Sequence, residues 1–287
     1  MVLETLSSAY DAEMHPYKLV LHGMLYTFVG LMLSLWTFPE YASIITVFLV
    51  SLASMPLLYA IIRYEEEQDI KIQNQKTLLK QHAKAIRAYF MLFIGVTLAF
   101  AITFLILPAD TMQVAFQSQI DTYETINPHH SITGQASTQV HQFNKIFLNN
   151  FRVMTLVILF SFLYGAGAIF ILSWNASVLG LAIGFTIREV IADIIKTQGA
   201  VDITTWLAVS THTVLIRYGI HGAIEMIGYM VAGLAGGIIS VAAIRHHFQT
   251  EHFQNIVVDS ADLILIALLL LLAGAAFEAW ITPLFML

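Results

Sequence analysis

The chain has 287 residues, 58% hydrophobic and 11% charged, with 13 Lys and Arg against 19 Asp and Glu for a formal net charge of −6, and a mean hydropathy of +0.76. Soluble domains carry about 25% charged residues, so this composition excludes a water-soluble fold and predicts an all-α, polytopic transmembrane helical bundle whose first partner is the lipid bilayer. The absence of cysteine excludes disulfides, thiolate metal sites and cysteine nucleophiles, and the mild charge, with no basic field, argues against nucleic acid as a partner.

Residues 1–18 carry Glu4, Asp11 and Glu13 and no basic residue before Lys18, unlike a secretory signal. Leu3, Leu6, Tyr10 and Met14 recur at spacings of three and four, which suits either a short amphipathic helix at the interface or a solvated tail. A crossing needs about 20 mainly apolar residues for a core of roughly 30 Å. Windows 19–38, 42–62 and 88–107 meet that need. The first two are joined only by Pro39, Glu40 and Tyr41 and form a tight antiparallel hairpin; Pro56 is expected to kink the second, and Pro108 closes the third. Further spans are predicted over 151–173, 219–244 and 263–287, the last despite Glu278. Between them, residues 174–218 break the pattern: SVLGLAIGF is followed by Arg188, Glu189, Asp193 and Lys196, and the apolar run between Asp202 and Arg217 is short. This segment is expected to cross obliquely or to re-enter, giving six or seven spans with a broken or re-entrant region.

Six of the 13 basic residues (Arg63, Lys71, Lys76, Lys80, Lys84 and Arg87) fall within 63–87, whereas 108–144 holds none. Basic loops stay in the cytoplasm. A multi-pass protein of the cell membrane is therefore expected, with the N-terminus inside and the 108–144 loop extracytoplasmic. The chain divides into an N-terminal membrane region of three spans and a basic loop (1–110), an extracytoplasmic loop (111–145) and a second membrane domain (146–287). In the basic loop, Ile72, Leu79, Ala83 and Ile86 share a face apart from the lysines, which suits a helix on anionic lipid or an extension of the third span. The outer loop has too little apolar content for its own core and reads as a flexible or partner-facing segment.

The clearest constellation is His221-Gly222-Ala223-Ile224-Glu225, with His and Glu four apart on one helical face of an apolar span. Glu225 can accept a hydrogen bond from His221; the pair then serves as a polar anchor between helices, a proton relay or two ligands of a metal site. A zinc site needs a third ligand, with His212 or Asp193 as candidates, and no HExxH pattern exists. Arg188 is expected to pair with Glu189, Asp193 or an acid of the last span, Glu278 to join the cluster of Glu225, and Asp259 and Asp262 to mark the interface. Gly180 with Gly184, Gly233 with Gly237, and Gly165 with Gly167 mark close helix packing or an oligomer interface. His129, His130 and His141 read either as a metal site or as solvated histidines. No phosphate loop, GxSxG elbow or carboxylate dyad appears, so neither a cofactor nor a catalytic residue is expected.

Three blocks in order, Ile146-Phe147-Leu148-Asn149-Asn150-Phe151-Arg152, a glycine-bearing span ending at Asn175, and His221-Gly222-x-x-Glu225 with the small-residue tract to Gly237, resemble the stage II sporulation protein M family of integral membrane proteins. The resemblance covers roughly residues 141–245, and residues 1–110 look like the N-terminal part of archaeal members. One departure is that Asn175 precedes Ala176, where the family pattern commonly has Asn-Gly. The resemblance implies a protein without known catalytic activity, which in spore formers works with two wall-remodelling partners and helps to localise them. It also implies that Asn149, Asn150, His221 and Glu225 organise the bundle or a partner surface. The resulting expectation is a non-enzymatic scaffold that assembles other membrane or envelope proteins, with homo-oligomerisation open. The alternative is a transporter or ion pathway lined by His221, Glu225, Arg188 and Glu278.

Overall fold

A computed structural model describes residues 8–72, 74–126, 139–164, 167–198, 202–245 and 251–285. Among them the elements are helical without exception: α1 (Ala9–Met14), α2 (Lys18–Thr37), α3 (Ala42–Lys71), α4 (Gln75–Ile106), α5 (Ala109–Ile126), α6 (Gln139–Tyr164), α7 (Ala168–Gln198), α8 (Ile203–Val214), α9 (Ile220–Ile244) and α10 (Glu251–Ala276). Lipid offers no hydrogen bonds to the backbone, so a chain this apolar must satisfy its own amides, and helices do so locally. Seven helical segments among the described residues are long and apolar enough to cross a membrane.

α2 and α3 form the expected hairpin through a 3₁₀ turn at Pro39–Tyr41, and α3 runs through Pro56 without ending. At about 1.5 Å per residue the 30 residues of α3 and 32 of α4 exceed a bilayer core by some 15 Å each. The charged ends, 63–71 and 75–87, therefore stand clear of the lipid as helical extensions, and Asn74 caps α4 by accepting from the Thr77 amide at 3.2 Å. α2 and α4 touch backbone to backbone, since a Cβ on Gly23 would strike the Leu92 carbonyl and one on Gly95 the Val20 carbonyl.

The second half departs from the sequence reading at a turn. The apolar run 151–173 is not one span: α6 ends at Tyr164 and α7 begins at Ala168, so the run is the end of one helix and the start of the next, reversed at Gly167. Residues 174–198, read as broken, complete α7 without interruption. The interruption itself falls between the end of α7 at Gln198 and the start of α8 at Ile203, and a π-helical turn at Leu215–Gly219 continues α8 into α9. Asp202 caps α8 by accepting from the Thr204 and Thr205 amides, and these bonds, led by the Thr204 hydroxyl, hold its carboxyl well below the usual range. α9 is the central helix, and 78% of the most apolar 18-residue stretch of the α8–α9 span is buried.

Within the 108–144 segment, α5 has the packed face that its composition does not suggest. α5 packs Phe116 edge-on against Phe100 and Phe104, with ring centroids 5.9 and 5.4 Å apart, and buries Gln119, whose Nε2 donates to the Ser43 carbonyl and Ser177 Oγ, both at 3.2 Å. Met112, Phe116, Gln119 and Tyr123 share one helical face, and that face finds a core in α3, α4 and α7. His129 and His130 lie outside the described residues, as do Leu3, Leu6 and Gly165. In α1 the buried face is Ala12 and Glu13, while Tyr10 and Met14 are exposed, the reverse of the expected apolar stripe, because Glu13 has a hydrogen-bond partner on α4. The alternation of helices gathers α1, the α3–α4 turn and the α9–α10 junction at one end of the bundle. At the other end lie the α2–α3 turn, α5 and the last turn, Thr282–Phe285.

Candidate functional site

In α9, Glu225 and Tyr229 are four residues apart and share the face that meets α6. Asn150 of α6 lies between them. Its Nδ2 donates to Glu225 Oε1 at 2.5 Å, and its Oδ1 accepts from the Tyr229 hydroxyl at 2.8 Å. All three are buried, at 8%, 5% and 2% exposure for Glu225, Asn150 and Tyr229. α10 contributes an absence: a Cβ on Gly274 would stand 2.8 Å from Glu225 Cγ, so the acid's stem occupies space that only glycine leaves. Glu278, one turn beyond Gly274, lies in the π-helical turn Phe277–Ile281 within electrostatic reach of Glu225. One turn before Glu225, the buried His221 meets Thr282 through Nδ1, 3.3 Å from its Oγ1. A single acid thus ties α6, α9 and α10 into one register, and the chain phenol–amide–carboxylate has a donor for each acceptor it uses.

The cluster contains four of the six polar residues singled out from sequence: Asn150, Glu225, His221 and Glu278. Two fall elsewhere. Asn149 points away and is exposed, since adjacent residues on a helix cannot share a face. Arg188 is bound neither to Glu189 nor to Asp193 nor to the last span; its Nη2 donates to the Phe104 carbonyl at 2.7 Å, and its guanidinium lies 4.5 Å from the Phe104 ring centroid. Glu189 is taken by Arg217 at 3.1 Å. The expected His221–Glu225 bond is also replaced, because each residue meets a different helix. His212 and Asp193, the candidate third ligands, are exposed, and no three His, Asp or Glu residues among the described ones converge as metal ligands. Tyr229, Gly274 and Thr282 were not foreseen. Their only signal is spacing: Tyr229 follows Glu225 by four, and Gly274 precedes Glu278 by four.

The glycines act as spacers. A Cβ on Gly180 would lie 2.7 Å from the Thr97 carbonyl oxygen, and one on Gly184 would strike the Phe104 ring, which seats α7 on α4. Gly233 faces Ala168, Val157 and Ser161, and it is Gly236 that lets Ser161 and the Ile158 carbonyl approach α9; Gly237 is buried.

A second polar cluster occupies the α1 end. Gln81 Nε2 donates to Glu13 Oε2 and to Glu65 Oε1, each at 2.7 Å. His82 Nδ1 lies 2.6 Å from Glu65 Oε2, and its Nε2 is 3.2 Å from Asp69 Oδ1, at ion-pair range but off the hydrogen-bonding direction. Burial, then the Glu65 carboxylate, pushes Glu13 up to about 8. Burial alone would lower His82, but the Asp69 and Glu65 carboxylates outweigh it and push the imidazole up to about 9. Arg245, at the end of α9, joins the same end through Glu66 at 2.6 Å and Glu67 at 3.2 Å, while Gln75 reaches Asp259 and Asp262 of α10 at 3.0 and 3.3 Å.

The sequence model of the family described as Stage II sporulation protein M matches residues 90–283. The match takes in α4 from its membrane portion onward and every residue of the Glu225 cluster; the Glu13–Glu65–His82 cluster falls before it. No curated protein and no solved structure matches the chain.

Proposed function

The chain belongs to the stage II sporulation protein M family, and we propose that it is a non-enzymatic scaffold of the cell membrane that assembles or localises other membrane or envelope proteins. The observation that carries this reading is that three polar contacts of the Glu225 cluster are made within the bundle: Glu225 to Asn150, Asn150 to Tyr229 and His221 to Thr282. Packing elsewhere in the bundle is also close. Cavities between α3, α4, α7 and α9, lined by residues such as Leu58, Tyr89, Ile169 and Leu172, measure about 20 and 10 Å³, room for about one water each. Neither of these two cavities is large enough to hold a substrate. In this reading the end bearing Arg63, Lys71, Lys76, Lys80, Lys84 and Arg87 is cytoplasmic, so α1 lies inside, and α5 with the 108–144 segment lies outside.

The test is cross-linking and affinity purification of the tagged protein from its native membrane, comparing wild type with Glu225→Gln at matched expression. The scaffold reading expects a near-stoichiometric protein partner whose own localisation is lost when this chain is removed. Recovery of the folded chain alone, with every envelope protein normally placed, refutes it. The nearness of Glu225 and Glu278 at this depth favours a second reading, a proton or ion pathway; proteoliposomes whose flux vanishes in Glu225→Gln would move the assignment there.

A further inference from the structure

α6 is the least covered of the seven spans. Only 22% of its most apolar 18-residue stretch is buried, against 78% for that of the α8–α9 span, and its outer face is not wholly apolar. Gln142, Lys145, Asn149 and Arg152 are all exposed and follow one another at intervals of three, four and three residues. That is the spacing of a contact seam along a helix, and it continues through exposed Leu156 and Leu159. None of the four polar side chains makes a hydrogen bond or ion pair with another described residue.

The depth of this stripe makes it unusual. Ser161 of α6 borders the same cavity as Ile62 and Tyr89, beside Arg63 and Arg87, where the apolar spans of α3 and α4 end. Arg152 precedes Ser161 by nine residues, or about 13 Å of helix, which places it well inside a core of roughly 30 Å. Its neighbour Asn150 points inward to Glu225 at the same level. Lys145 lies two turns further out, about 10 Å along the axis. Cations at these levels are costly in hydrocarbon, so they face water or pair with a partner.

We infer that the Gln142–Lys145–Asn149–Arg152 face of α6 is the docking surface for a transmembrane helix of another protein that carries two carboxylates about 10 Å apart along its axis. Charge complementarity selects this occupant. A second copy meeting this face with its own is the wrong partner: a two-fold axis along the bilayer normal brings Lys145 against Lys145 and Arg152 against Arg152. An acidic helix instead neutralises both cations, with Asn149 as a neutral hydrogen-bonding position between them, Gln142 as another beyond Lys145, and Leu156 and Leu159 closing the seam toward the other leaflet. The inference rests on the scaffold reading and names the class of its partner.

The test uses the purified full-length protein in lipid vesicles and three synthetic transmembrane peptides of one leucine-rich host sequence, bearing two Asp, two Lys or two Leu seven residues apart. Binding is read by energy transfer. The Asp peptide is expected to bind wild type at least tenfold more tightly than the Leu peptide. That preference disappears in Lys145→Leu/Arg152→Leu and is reduced in Arg152→Gln, with melting temperatures matched to wild type. In Lys145→Glu/Arg152→Glu the Lys peptide becomes the preferred one. Equal binding of all three peptides overturns the inference. So does a photo-cross-linker at Asn149 that captures only a second copy, or ready quenching of a label there by a water-soluble agent with no peptide bound. The outcome is separable from that of the scaffold reading: peptide binding with no native partner recovered removes the scaffold, and a native partner recovered despite peptide failure moves its docking surface elsewhere.

Discussion

The Asn150–Glu225 bond is best tested by a double-mutant cycle. Replacing Asn150 with Leu strips Glu225 of its 2.5 Å donor and the Tyr229 hydroxyl of its acceptor, leaving a buried acid with Glu278 for company. In a soluble interior, a hydrogen bond to a charged group is worth about 1.5–3 kcal/mol. Within a membrane the measured coupling of polar pairs averages about 0.6 and reaches about 1.7 kcal/mol, because the unfolded helices find other partners. Asn150→Leu should therefore cost about 2 kcal/mol. Glu225→Leu should cost about 1 kcal/mol, since it orphans only a neutral amide donor and leaves the Tyr229–Asn150 bond in place. The double variant should fall short of the sum by about 1 kcal/mol, and Glu225→Gln, which keeps an acceptor, should be the mildest. Reversible unfolding in bicelles, by steric trapping or detergent titration, reads all four. Additivity within about 0.5 kcal/mol, or an Asn150→Leu variant as stable as wild type, refutes the claim that this acid fixes the register of α6 and α9.

Three other outcomes follow from the packing. Gly95→Val drives a branched side chain into the Val20 carbonyl and should cost about 3 kcal/mol, the upper end for overpacking, seen as a lower melting temperature and poorer extraction of intact protein. Arg245→Ala removes the cation at 2.6 Å from the buried Glu66 and should loosen the α3–α9 end by about 2 kcal/mol. Arg245→Lys should restore only part of that, because one ammonium cannot serve Glu66 and Glu67 with a fork; hydrogen exchange over 60–71 and 238–245 reports both. Docking of α1 should weaken as pH rises: Glu13 sits at about 8 in the folded chain against 4.5 for the free group, so the undocked form gives up its proton first, and the docked form loses ground between about pH 4.5 and 8. Exchange protection of residues 9–14 should fall over that window and become flat in Glu13→Gln; protection that rises with pH would contradict the burial of this acid.

The bundle was legible because hydropathy is a local property, and the errors lie where the answer depends on which helix faces which. A window of 151–173 is apolar throughout, so its hydropathy cannot reveal a reversal of the chain; only the glycines beside the turn mark it, and glycine is common in membrane helices. Treating that window as one span then made residues 174–198 look broken, when they are the second half of α7. α5 was hidden by averaging, since its few apolar residues, Met112, Phe116 and Tyr123, matter through their spacing and not through their number. The same averaging concealed the stripe on α6, half of which was assigned to a loop.

Glu225 stood out as a lone acid in an apolar run, and Asn150 through the block that precedes it, but Tyr229 and Gly274 are unremarkable in any membrane helix until α6 and α10 are placed against them. The His221–Glu225 pair shows the limit most sharply. An interval of four guarantees that two side chains share a face and says nothing about what covers that face. Because α10 ends beside His221 and α6 crosses beside Glu225, the two residues answer to Thr282 and Asn150. It follows that His221→Ala, which deletes one 3.3 Å contact, should cost about 1 kcal/mol and add simply to Asn150→Leu, whereas a histidine that oriented Glu225 would couple to it.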